Sequence, residues 1–62
     1  MLVDNIIEVF GVKQNQYLCL VDWHTKDVMA FGQCQEIQPK FGDCTIADVM
    51  RVYDIIFLEI IA

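Results

Sequence analysis

The last third of the chain sets the hardest constraint on the fold. In residues 45–62, thirteen of eighteen positions are apolar, and no Gly, Pro or Asn interrupts them. A chain of 62 residues hides only about 60% of the surface that its unfolded form exposes, so this segment is hard to shelter. On a helical wheel, Ile46, Val49, Met50, Tyr53, Ile56, Phe57, Ile60 and Ile61 form one broad stripe, with Asp48, Arg51, Asp54 and Glu59 outside it. Thr45 suits an N-cap, and Asp48 suits the positive end of a helix. The pattern predicts a continuous C-terminal helix. Its rival is a helix that stops near Tyr53, followed by a fourth strand over residues 54–61, because Ile and Phe favour strands.

Upstream, three segments read as strands. Residues 5–12 are rich in Ile, Val and Phe, residues 17–24 are apolar on both faces at their start, and residues 27–33 include Gly32. Short polar connections make neighbours antiparallel, with residues 17–24 in the middle. In that strand Tyr17, Cys19, Val21 and Trp23 share one face, and Leu18, Leu20, Asp22 and His24 share the other. Residues 34–44, with Pro39 and Gly42, read as loop. The expected fold is a single α+β domain over residues 1–62: a three-stranded antiparallel sheet packed against a C-terminal helix.

The helical stripe is too wide for one sheet. If Val49, Val52, Ile56 and Ile60 pack inward, then Ile46, Met50, Tyr53, Phe57 and Ile61 stay uncovered. Each large apolar side chain gains about 1.5–3 kcal/mol on full burial, so such a patch invites association. A two-fold homodimer through the helix is the simplest closure. Val9, Leu58 and Ile60 would then line a surface for a further protein or peptide partner.

Composition excludes several classes. Nine acidic residues against four basic ones give a net charge of -5, which disfavours direct contact with a nucleic-acid backbone. The longest apolar run has eight residues and contains Glu59, far short of the ~20 that a membrane span needs. The N-terminus lacks the basic and apolar regions of a signal peptide, so the chain reads as intracellular. Cys19, Cys34 and Cys44 are odd in number and widely spaced, as reduced thiols are. With His24 they offer zinc-ligand chemistry, but the spacing is not that of a zinc knuckle, and Cys19 and His24 lie on opposite strand faces. No nucleophile–base pair or phosphate loop stands out. No catalytic residue, metal or cofactor is assigned.

Several short motifs carry a resemblance. Residues 17–24 (YLCLVDWH) are similar to a Y-L-x-K-W-K strand, preceded by Asn5-Ile6-Ile7 and followed by Asp27-Val28-Met29 and by residues 49–54 (VMRVYD). Together these resemble the chromo shadow domain of the heterochromatin-protein-one family. The resemblance implies a chromo-like three-stranded sheet closed by a C-terminal helix, which forms a homodimer in the nucleus, on chromatin. It places the dimer contact on Met50, Tyr53 and Phe57, and implies a cleft for an extended peptide with a Pro-x-Val-x-Leu core. Asp22 and His24 replace basic residues of that pattern, and Glu59 stands where the peptide-gripping tryptophan would be. The departures point to a divergent member with its own partner, such as one serving germline piRNA-cluster chromatin.

Two functional expectations follow. The first is a non-enzymatic module for homodimerisation and partner docking in a heterochromatin-associated protein. The second is a small acidic inhibitor of a basic nucleic-acid-processing enzyme.

Overall fold

The computed structural model describes residues 1–61, which form helix α1 (Val3–Val9), strands β1 (Tyr17–Asp22) and β2 (Val28–Gln33), helix α2 (Cys34–Phe41), and strands β3 (Thr45–Val52) and β4 (Ile55–Ile61). The four strands make one sheet in the order β2-β1-β4-β3. The two outer pairs are antiparallel, while β1 and β4 run parallel at the centre. The α+β class holds. The three-stranded antiparallel sheet does not, and neither does the C-terminal helix.

Each difference has a local cause. The first segment is helical because Val3, Ile6 and Ile7 fall at the i, i+3, i+4 spacing of one helix face, and all three are buried. Asn5 Oδ1 accepts the Leu2 N–H at 2.9 Å and ties off the first turn. The expected loop contains α2, where Cys34 and Ile37 point into the core and Glu36 Oε1 accepts the Gln33 N–H at 3.2 Å. Pro39 sits in this helix and leaves the Gln35 carbonyl without its ladder donor. Both residues are exposed, so water can serve that carbonyl.

Residues 45–61 form the β3–β4 hairpin, so the turn lies where the rival reading ended its helix, and β3 replaces that helix. Tyr53 and Asp54 make a two-residue turn, with Tyr53 at φ 54°. Two-residue hairpins need a positive φ at the first turn position, which Gly or Asn usually supplies. Gln16 Nε2 donates to the Asp54 carbonyl and fastens this turn to the start of β1. At the other end of β1, Asp22 Oδ1 accepts the His24 and Thr25 N–H groups at 2.8 and 3.2 Å, which closes the β1–β2 turn.

Both helices lie on one side of the sheet. There Leu18, Leu20, Leu58, Ile60 and Ile46 meet Val3, Ile6, Ile7, Cys34 and Ile37 in a single core. Gly42 lets α2 approach α1: a Cβ there would stand 2.7 Å from the Gln38 carbonyl and would strike the Asp4 carboxylate. Asp4 in turn accepts the Gln38 Nε2–H at 3.0 Å.

Candidate interaction surface

Among the described residues, no element covers the opposite side of the sheet. Directly opposed residues of paired strands share a face, so the registers resolve this side into rows across all four strands. The first row is Gln33, Tyr17, Ile55 and Val52. The second is Phe31, Cys19, Phe57 and Met50, apolar from edge to edge. The third is Val28, Val21, Glu59 and Asp48, where the apolar character gives way to charge.

Tyr17 and Phe31 stack across the first two rows, with ring centroids 5.6 Å apart and planes at 16°. Val21, Met50, Val52 and Phe57, with Asp48 and Glu59 at one end, line a shallow groove of about 190 Å³. Two carboxylates directly opposed on one face repel each other. Lys26 answers part of this: its Nζ lies 2.6 Å from Glu59 Oε2. Both partners are substantially hydrated, so the pair contributes at most about 1 kcal/mol.

Reactive chemistry is muted on this surface. Cys19 is 5% exposed beneath its neighbours, and burial pushes its thiol above the ordinary value of 9.0. Cys34, in the core, is raised by burial and then by the nearby Asp4 carboxylate. Protonated thiols are poor nucleophiles and poor metal ligands at neutral pH. His24 is exposed, its ring 5.0 Å from that of Trp23. Among the described residues, no three His, Cys, Asp or Glu side chains gather where they could hold a metal ion. No helix is long and apolar enough to cross a membrane.

The residues singled out in the sequence scatter, because the helical wheel that grouped them does not exist. Met50 and Phe57 are brought together as direct cross-strand partners on the open face, with Ile61 further along β4 on the same side. Ile46 lies on the other side, buried against the helices. Tyr53 projects from the hairpin tip, 93% exposed. Leu58 and Ile60 belong to the core and reach no surface, whereas Val9 is exposed at the end of α1. Sequence reasoning left Tyr17, Phe31 and Val52 out of the association surface and read them as core packing. The alternation in β1 did place Tyr17, Cys19 and Val21 on a common face, and that was the available signal.

In comparisons with known proteins, no family model, curated protein or solved structure matches the chain.

Proposed function

We propose that the chain is a non-enzymatic association module that pairs with a second copy through its open sheet face. One observation carries this reading. The central strands β1 and β4 are apolar on both faces, as parallel strands covered on both sides are, yet the helices cover only one. Stacking two such faces would give a two-sheet sandwich with about 10 Å between layers.

Magnitudes fix the strength. A face bounded by the longer molecular dimensions, 28 and 23 Å, offers on the order of 600 Å² per copy, near the lower bound for a specific interface. Five or six half-covered side chains on each copy gain about 1 kcal/mol apiece, roughly 10–12 kcal/mol for the pair. Association costs ~4 kcal/mol or more in lost freedom. The pair is therefore reversible, with a dissociation constant on the micromolar scale.

Sedimentation of the wild type across ~10 μM to ~1 mM should show a monomer–dimer equilibrium. Phe31 and Met50, 57% and 58% exposed on the outer strands, can change without disturbing the core. The double variant Phe31→Glu, Met50→Glu should stay monomeric and keep the native circular dichroism spectrum. A wild type that remains monomeric throughout removes the proposal.

The nuclear, chromatin-associated setting rests on the chromo shadow resemblance, whose C-terminal helix is here the β3–β4 hairpin, and the module is proposed without that setting. A second reading, the acidic inhibitor of a basic enzyme, is favoured by the opposed Asp48 and Glu59. Its binding would collapse in ~0.5 M salt, where surface charges are screened, whereas the apolar pairing would persist.

A further inference from the structure

On the helix side of the sheet, α1 stops short of the outer strand. The gap between the end of α1 and β3 is a cleft of about 540 Å³. Ile6, Phe10, Val49 and Ile56 give it apolar walls, and Lys13 and Arg51 bring two of the four basic residues of the chain to it. Among the described residues, the single ion pair is Lys26–Glu59, so neither Lys13 nor Arg51 has a carboxylate partner. In a protein of net charge -5, this cleft gathers two basic side chains that no carboxylate offsets.

The strand that forms one wall of the cleft also has a free edge. At its start that edge is paired: Leu2 bridges Thr45 in antiparallel fashion, and the Ile46 N–H donates to the Met1 carbonyl at 2.7 Å. Beyond Ile46, no backbone group among the described residues pairs with the outer side of β3. The Val49 N–H donates instead to the adjacent Asp48 Oδ1 at 2.8 Å. An unpaired strand edge is a template for another strand. The edge and the cleft coincide at Val49 and Arg51.

We propose that this edge binds an extended, acidic segment of a partner protein by antiparallel strand addition. The antiparallel sense follows the Leu2–Thr45 bridge on the same edge. Backbone pairing holds the segment, and alternate side chains select it. A residue opposite Arg51 enters the cleft near Lys13 and must be acidic. The residue opposite Val49 lies against the apolar wall. The one between them falls beside Met50 at the margin of the open face, and it too is apolar. Read from its N-terminus, the core of the segment is acidic–apolar–apolar. A nucleic-acid strand fits poorly, because it offers no edge for β3 and meets a chain rich in carboxylates.

The test uses a fluorescein-labelled, end-capped nonapeptide with a glutamate–valine–isoleucine core, titrated against the whole chain by anisotropy and followed by amide NMR. Saturable binding is expected, with the largest shifts at Val49 and Arg51. The variant Lys13→Glu, Arg51→Glu, altered only at exposed side chains, should weaken binding at least tenfold. A peptide carrying lysine in place of glutamate should recover most of that loss. Methylating the peptide nitrogens along one edge should abolish binding without changing charge. The inference is overturned by absent binding, by binding indifferent to the charge swap, or by shifts that map to β2 or to the Tyr17–Phe31 face. Repeating the titration with a Val28→Glu, Phe31→Glu chain, charged on the open face only at the far outer strand β2, separates this site from self-pairing: the peptide should bind the monomer with unchanged affinity. If it binds only the paired form, the occupant is not an independent partner strand and the inference fails.

Discussion

Single residues carry much of the specificity of this fold. Tyr53 holds a left-handed backbone conformation that costs a bulky L-residue on the order of 1 kcal/mol or more. Tyr53→Gly removes that strain without breaking a side-chain contact, since the ring is almost wholly in solvent. The variant should be more stable by about 0.5–1 kcal/mol, seen as a rise of several degrees in the thermal midpoint. Gly42 is the opposite case. Its φ of -58° is open to any residue, but the space is not. Gly42→Ala should cost about 1–3 kcal/mol by forcing α2 away from α1, measured by urea denaturation. The buried thiols add a pH dependence. Cys19 and Cys34 titrate above their ordinary value in the folded chain, so folding favours their protonated form. Their contribution is complete below pH 9 and is lost as the pH climbs through the raised values. Stability should fall on the alkaline side of pH 9, and less steeply in Cys34→Ala.

At the scale of elements, the legible and illegible parts divide for physical reasons. β1 and β2 could be read from apolar runs bounded by a polar turn, and Asp22 and Thr25 supply the side-chain oxygens that the turn uses. The N-terminal segment was harder to read. Its Ile and Val favour strands, yet spacing outweighs propensity once Val3, Ile6 and Ile7 can all meet the sheet. In residues 45–61 twelve of seventeen positions are apolar, so periods of 2 and of 3.6 fit nearly equally well, and Tyr53 conceals the turn where a Gly would have announced it. The outcome follows from burial. As a strand, β4 places Leu58 and Ile60 in the core at almost no exposure and pairs its backbone with both β1 and β3. Leu58→Ala should therefore cost about 2–5 kcal/mol. That rivals the whole stability of a domain this small, so a broad or absent thermal transition is the expected readout. For the candidate surface, Met50, Phe57 and Ile61 were legible as surplus apolar residues. Their neighbours Tyr17 and Phe31 depended on the parallel β1–β4 register, which joins residues 38 apart and leaves no local trace, whereas Val52 was hidden with the β3–β4 turn.

For the molecule as a whole, the parallel seam between β1 and β4 unites two hairpins that are each local in sequence. The apolar row on the open side is complete only when that seam is in register, because Phe31, Cys19, Phe57 and Met50 come from four different strands. A slip of one residue in any strand would turn its member of the row to the other side of the sheet. Under the proposed pairing, recognition through this row would act as a proofreading step: a second copy would engage only molecules whose assembly is finished, and misaligned chains would go unrecognised.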